Sequence, residues 1–389
     1  MNKATKTDTA TFTSLISENY LIFLIFLLGL ALRLYDLGSE SIWYDEASSI
    51  AVAKLGLIEQ ISWSFVQNDN NPPLYYQIMH FWIWIFGDSE FAARVPAALF
   101  GSFSIFAIYM VGRLTFNKKV GLIAALILAT SLFHIKYSQE ARAYSLLAFL
   151  TLVSFYYYLK IISSDRRLYV FGYLFSTTLM LYAHYYGFLI LVVQNIFFFG
   201  NYLRNRNFSV LSLKKWLKYQ IILGALYLPG FVLFAKHTLA IQGGFWLPEP
   251  TLNAIPRAFV IYSGSFYLSL VLVIFSLLSF ISFRQGHKSS DTDNINLSKS
   301  NRLYLLLLWL FVPIFLPFLL SLFSTPVLLY RYTIGASLAF YLLAALGVVA
   351  TGKRALMLVI VCVILVLSYL NLNKYYESVD KYQWREAVI

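Results

Sequence analysis

The stretch "SIWYDEASSI", residues 41–50, sets two adjacent carboxylates, Asp45 and Glu46, just after the first long apolar segment of the chain. Acids are scarce in this sequence, 18 in 389 residues, while 59% of the residues are hydrophobic and 18% are aromatic. A carboxylate beside a bilayer is costly unless it meets water, a partner or a substrate. The pair therefore asks where the membrane lies and what else gathers around residue 45.

A mean hydropathy of +0.68 and only 12% charged residues exclude an ordinary soluble domain. Apolar runs long enough to cross a bilayer recur along the chain. They read as an all-α polytopic membrane protein with eleven spans, near 20–35, 91–111, 120–137, 144–162, 168–183, 186–202, 216–236, 259–283, 303–324, 333–350 and 355–370. The first run lacks a small-residue cleavage site and reads as a retained signal-anchor. The formal net charge is +12, but the basic residues fall between apolar runs. They read as topology charge beside anionic lipid, with no nucleic-acid partner. The single cysteine, Cys362, allows no intrachain disulfide.

With the N-terminus, 1–19, in the cytoplasm, the inner loops collect Arg113, Lys118, Lys119, Arg166, Arg167, Lys214, Lys215, Lys218, Lys353 and Arg354, as the positive-inside rule expects. Of the 18 acids, only Asp8, Glu18, Asp165, Asp291 and Asp293 fall on that side. The rest, Asp45 and Glu46 included, fall outside, where a reaction site would account for them. The segment "PLYYQIMHFWIWIF", 73–86, is apolar but short for a span. It reads as an interfacial helix with His80, Trp82 and Trp84 at headgroup level. Residues 36–90 then form one large outer loop. It is expected to hold two membrane-hugging helices, near 46–55 and 73–86, joined through Asn68-Asp69-Asn70-Asn71-Pro72-Pro73. Gly56 would cap the end of the first helix, and the prolines enforce extended backbone before the second.

Four further polar clusters map to the outer face. "HIKYSQEARAY", 134–144, reads either as a solvated turn with a local ion pair or as a site wall with Lys136 or Arg142 facing an anion. "YAHYYG", 182–187, offers His184 for metal binding or proton transfer, or as an incidental histidine in an aromatic belt. In "LLYRYTIG", 328–335, Arg331 either snorkels or clamps a phosphate, and Arg94 in "FAARVPAALFG", 91–101, poses the same choice. Asp45 itself fits a helix N-cap or a base whose basicity is raised by desolvation against Trp43 and Tyr44. The chain has no Walker motif, CxxC pair or HExxH, and no charged pair lies mid-span, which disfavours an ion-coupled transporter.

Taken in order, "SIWYDEA", "NPPLYYQIMHFW", "FAARVPAALFGSFSIFAIYMVGRL", "HIKYSQEARAYSLL", "YAHYYGFLILVVQ" and "LYRYTIGAS" resemble the GT-C superfamily of membrane glycosyltransferases. The closest likeness is to the bacterial branch similar to protein O-mannosyltransferases, aminoarabinose transferases and rhizobial galacturonosyltransferase-like proteins. The resemblance covers roughly residues 20–345. It implies a GT-C catalytic domain over 20–350, followed by a last transmembrane helix and short extracytoplasmic tail over 351–389. It also implies an integral protein of the bacterial cytoplasmic membrane with its site on the extracytoplasmic face. The implied activity is inverting transfer of a sugar from a polyprenyl-phosphate donor to a lipid, polysaccharide or protein acceptor. Asp45 would be the catalytic base with Glu46 beside it. Arg94, Arg142, Arg331 and Lys136 would hold the donor phosphate. Tyr44, Asn71, Pro72, His80, Glu140, His184, Tyr185 and Tyr332 would line the substrate site. No cofactor is demanded; a divalent metal, Mg or Mn, could only use Asp45, Glu46 or His184, whose spacing does not require one.

The sequence departs from the branch at Asn71, where aminoarabinose transferases carry lysine before Pro-Pro. It also stops at "YQWREAVI", 382–389, where the family often opens a further outer segment, so either a truncated chain or a short branch is expected. The rival reading is a flippase-like transporter of lipid or polysaccharide. It expects polar residues along a path through the membrane rather than on one face.

Overall fold

Each of the apolar segments is helical in the computed structural model, which describes residues 20–67, 71–206, 208–241, 247–284, 295 and 297–378. The N-terminal segment, Asn68–Asn70 and the tail with "YQWREAVI" lie outside the described residues. Sixteen helices and no strands occur among the described residues. Helix α1 spans Tyr20–Leu34. The outer loop contributes α2 (Tyr44–Lys54), α3 (Leu57–Val66) and α4 (Leu74–Phe86). The bundle continues with α5 (Glu90–Thr115), α6 (Lys118–Ala129), α7 (Leu132–Ser138), α8 (Tyr144–Ser163), α9 (Arg167–Ala183), α10 (Gly187–Arg204) and α11 (Leu213–Ile241). It closes with α12 (Ala254–Ser263), α13 (Phe266–Arg284), α14 (Lys299–Phe323), α15 (Ile334–Ala350) and α16 (Arg354–Glu377).

Six of these helices are long and apolar enough to cross a membrane, or up to eight when each bent pair is one span. The chain is thus an integral membrane protein, but the expected count of eleven is not reached. Helices α1 and α15 are apolar but shorter. Two expected spans are broken, α6 from α7 by a 59° bend and α12 from α13 by a 101° bend. Each break has a local cause. Gly264 takes a left-handed φ of 84° and closes the end of α12 by donating to Val260 and Ile261, the usual role of glycine after a helix. Between α6 and α7, Ser131 caps the new helix by accepting from the His134 amide. The carbonyls of Leu128 and Ala129 left over from α6 accept from Arg33, a fully buried guanidinium on α1. In a bilayer such carbonyls have no water to turn to.

Helix α15 is buried on all sides from Ile334 to Val348, as an apolar helix without a polar face must be. It packs on α13, α14, α6 and α8. At Gly347 a Cβ would stand 1.6 Å from the Phe275 carbonyl oxygen, so only glycine permits this approach of α15 to α13. Small residues at helix contacts supply the close packing that the hydrophobic effect cannot drive inside lipid.

The outer loop differs from expectation in one element. Gly56 does not end the first helix. Leu55 does, and Gly56 opens α3 with its amide donating to Glu59 at 3.0 Å. Three helices therefore fill the loop. Helix α4, at 13 residues, is about 20 Å long, short of the roughly 30 Å apolar core of a bilayer. It buries Tyr75, Tyr76 and Met79 and leaves Phe81, Trp84, Ile85 and Phe86 exposed.

Candidate active site

The first turn of α2 sends its two carboxylates to different sides, because neighbours on a helix are about 100° apart. Glu46 points inward and is fully buried. Its Oε1 accepts from Arg94 Nε and from the Ala141 amide, both at 2.9 Å, and its Oε2 accepts from Arg94 Nη2 at 2.9 Å. The Trp43 amide also points at Oε2, at 3.4 Å. Arg94, 1% exposed, spends its remaining donors on the carbonyls of Leu37, Glu40 and Ser41 at 2.8–3.0 Å. This is a bidentate, charge-assisted pair with every strong donor used. It pins the 37–41 turn, α2, α5 and the 139–143 turn to one another. Two expectations are corrected. Arg94 is not presented to a phosphate, and Glu46 has no lone pair facing open space with which to take a substrate proton. Asp45 is not the N-cap either; Trp43 holds that place in extended backbone.

Asp45 faces the other way. Its backbone is fixed, since the carbonyl accepts from Ser49 Oγ at 2.9 Å and from Arg142 Nη1 at 3.3 Å. Its carboxylate is 26% exposed and lies 3.5 Å from Arg331 Nη2. Arg331 comes from the turn between α14 and α15. Its guanidinium sits 5.7–5.9 Å from the ring centroids of Trp43, Tyr144 and Tyr332, the range of cation–π contact. Its buried Nε has no hydrogen-bond partner, and the same is true of Trp43 Nε1 and the Tyr75 hydroxyl. Unpartnered buried polar atoms are rare and call for an explanation. Burial opposes the charge on Arg331, but the phenol oxygens of Tyr144 and Tyr332 and the carboxylates of Glu140 and Asp45 outweigh it and hold its pKa above the ordinary arginine value.

Arg142 joins the cluster from the 139–143 turn. It is 8% exposed and donates to Ser49 Oγ at 3.1 Å and to Asn71 Oδ1 at 3.3 Å. Glu140, in the same turn, is buried. Pro72 is buried beside Asn71 and turns the chain into α4. His184 follows α9 and stands 5.0 Å from Tyr332, ring to ring. Its Nδ1 accepts from the Tyr186 amide at 3.1 Å, which leaves the proton of the neutral ring on Nε2. Burial first, then Arg142 and Arg331, push its pKa down to about 3. His184 is therefore neutral at physiological pH and has one donor to offer.

Asp45, Asn71, Arg142, His184, Arg331 and Tyr332 thus converge, from residues nearly 290 positions apart in the chain. Other expected site residues do not join them. Tyr44 is 81% exposed and faces away. His80 tethers α4 to α2 through the Ala53 carbonyl at 2.8 Å, about 12 Å along α2 from Asp45. Tyr185 pairs with His237 at 2.7 Å, and His237 reaches the Ser64 carbonyl at 3.0 Å. This relay fastens α3 to α11. Lys136 lies half-buried on α7. Among the described residues no three histidine, cysteine, aspartate or glutamate side chains stand together to hold a metal ion. With Glu46 committed to Arg94 and His184 Nδ1 to a backbone amide, the trio considered for a divalent ion does not form a site. Of the rings around the site, the sequence pointed to Trp43 as one that could pack on Asp45, while Tyr75 and Tyr144 carried no signal of their own.

The fold sets these geometries in a known frame. A family model for dolichyl-phosphate-mannose-protein mannosyltransferase matches residues 70–233. ArnT from Cupriavidus metallidurans, solved with undecaprenyl phosphate bound, superposes with a TM-score of 0.60 at 13% identity, over 85% of this chain and 60% of that one. The chain has the GT-C fold. The archaeal oligosaccharyltransferase AglB from Archaeoglobus fulgidus, in complex with an inhibitory peptide and a dolichol-phosphate, superposes with a TM-score of 0.62 at 13% identity, over 96% of this chain and 58% of that one. The chain therefore spans about three fifths of the length of these GT-C structures. No curated protein sequence matches it. Within the GT-C frame, the polar cluster occupies the end of the bundle that carries α2, α3 and α4. The basic turns around Lys118, Arg166 and Lys215 lie at the other.

Proposed function

We propose that this protein is an inverting glycosyltransferase that takes a sugar from a polyprenyl-phosphate donor and passes it to an acceptor hydroxyl. The proposed setting is the extracytoplasmic face of a bacterial cytoplasmic membrane. The observation that carries the reading is the partly exposed Asp45 carboxylate facing a caged, partly unpartnered Arg331. Only these two opposite charges in the cluster are both accessible and loosely held. The ligands of the structural relatives, undecaprenyl phosphate and dolichol-phosphate, and the outward concentration of acids support the same chemistry. An outward-facing transferase also needs a donor that crosses with the membrane, because nucleotide sugars are cytoplasmic.

In this reading the acceptor oxygen attacks the anomeric carbon while Asp45 takes the hydroxyl proton. The bond from the anomeric carbon to the phosphate oxygen breaks, and its electron pair leaves on the polyprenyl phosphate. Arg331, with Arg142 behind it, meets charge that grows as that bond breaks, so it favours the transition state over the ground state. Base catalysis by Asp45 would contribute roughly 10²–10⁴-fold. Glu46 and Arg94 are positioning residues that fix α2 against the 139–143 turn. The loop 36–90 forms the cleft at the lipid boundary. A transporter would carry charged groups along a path through the bundle, whereas the described charged side chains gather at its two ends.

The test is consumption of a panel of radiolabelled polyprenyl-phosphate sugars by purified protein in native lipid extract, with wild type and Asp45→Asn compared. One donor consumed only when Asp45 is present is the expected result, and it also names the sugar. Consumption of no donor by folded protein would remove the transferase reading. Equal consumption by Asp45→Asn would take the base role from Asp45.

A further inference from the structure

The proposed roles of Asp45 and Arg331 conflict with the distance between them. In an inverting displacement the base and the leaving phosphate flank the anomeric carbon on opposite sides. The base must reach the acceptor oxygen, and that oxygen must reach carbon, each at about 3 Å. A guanidinium that holds the phosphate then stands well over 6 Å from the base carboxylate. Here the two are 3.5 Å apart. They cannot touch each other and carry out the reaction at the same time.

The surroundings show which partner moves. Arg331 is held by three aromatic rings, and its Nε–H has no hydrogen-bond partner. Asp45 has its backbone locked by Ser49 and Arg142, but its carboxylate has one ion-pair partner among the described residues and is partly exposed. The 3.5 Å contact is at the long limit of a hydrogen bond, a single loose approach where the neighbouring Glu46–Arg94 pair closes twice at 2.9 Å. The donor phosphodiester has two unesterified oxygens, enough to accept from both Nη2 and the idle Nε of Arg331, whereas Asp45 meets Nη2 alone.

We infer that the Asp45–Arg331 contact is a latch that the donor phosphate opens. Without donor, Arg331 neutralises Asp45 and blocks the path by which an acceptor hydroxyl reaches it. The phosphate replaces the carboxylate on Arg331, the Asp45 side chain rotates away about its own side-chain torsions, and the base becomes free. Deprotonation of an acceptor therefore waits for the donor, and substrate binding is ordered with the donor first. This rests on the transferase reading and adds to it a requirement on the resting state.

The latch makes Asp45 a competitor of the phosphate for Arg331, which a double-mutant cycle on undecaprenyl phosphate binding can isolate. Binding would be measured with purified protein in nanodiscs for wild type, Asp45→Asn, Arg331→Gln and the double variant. Asp45→Asn is expected to bind undecaprenyl phosphate about tenfold more tightly than wild type, and the gain is expected to vanish in the Arg331→Gln background. An equal gain in both backgrounds would mean simple charge repulsion and would overturn the latch. Unchanged or weaker binding by Asp45→Asn would overturn it as well. Arg331→Met, an apolar chain that suits the ring cage, replaces Arg331→Gln should that variant not purify folded. Failure of wild type and Asp45→Asn alike to bind undecaprenyl phosphate would instead remove the transferase reading on which the latch depends.

Discussion

Two ion pairs start from neighbouring residues of one helical turn and have opposite characters. Glu46 and Arg94 are sealed in, bidentate at 2.9 Å, with the spare donors of the arginine spent on three carbonyls. Asp45 and Arg331 touch once at 3.5 Å, partly exposed, with a guanidinium nitrogen left idle. The chemistry of the side chains is the same, so the difference lies in what surrounds them. A saturated pair organises backbone; an unsaturated pair is ready to exchange partners. Burial alone does not mark a site, since the more deeply buried pair is the structural one.

The sharpest way to break this comparison is to treat the sealed pair as if it were reactive. Arg94→Met removes the partner of a fully buried carboxylate and strands three carbonyls. Breaking such a pair costs about 3–5 kcal/mol, so the variant should lose much of its thermal stability or fail to accumulate in membranes. Stability close to wild type, measured by thermal unfolding in detergent, would show that the pair does not organise the loop.

A smaller effect is expected at His184, which is buried beside the positive charges of Arg142 and Arg331. Its folded pKa is lowered to about 3, while an unfolded histidine titrates near 6.5. Between these values the unfolded chain binds a proton that the folded chain refuses, so acid favours unfolding over that window. Wild type should lose stability as pH falls from about 6.5 toward 3, and His184→Gln should lose less over the same range. Identical acid profiles would mean that burial, with Arg142 and Arg331 beside it, does not hold the histidine neutral.

The smallest effect belongs to Tyr185, adjacent in sequence to this cluster but turned to His237. Tyr185→Phe removes one neutral hydrogen bond, worth about 1 kcal/mol. It should lower stability slightly and leave donor consumption within about twofold of wild type. A large loss of turnover would draw Tyr185 back into the site.

Much of the fold was legible because apolar run length and the placement of Lys and Arg follow directly from the bilayer. The shortness of 73–86 was enough to keep α4 from being read as a span. The break at Thr130–Ser131 was not legible, because the carbonyls it frees are taken by Arg33, which only the folded chain brings there; the break at Gly264 has a local cause, a glycine closing α12 in left-handed backbone, inside what reads as one apolar span. Helix α3 was missed because Gly56 serves equally as the end of one helix or the start of the next, and its choice is made by Glu59. Within the site, Asp45, Arg142 and Arg331 could be proposed from their loops. That Arg94 belongs to Glu46 could not, since 48 residues separate them and nothing local states the pairing. The same holds for the Tyr185–His237–Ser64 relay, which joins three distant segments.

The account stands on a division of labour between two adjacent carboxylates, and Asp45→Asn measured beside Glu46→Gln tests it most directly, with thermal stability and consumption of a polyprenyl-phosphate sugar read on each. Asp45→Asn is predicted to unfold within about 1 kcal/mol of wild type and to lose roughly 10²–10⁴-fold in turnover. Glu46→Gln is predicted to lose stability first, with whatever protein remains folded still consuming donor. A stable, inactive Glu46→Gln beside an active Asp45→Asn would reverse the assignment and contradict the account.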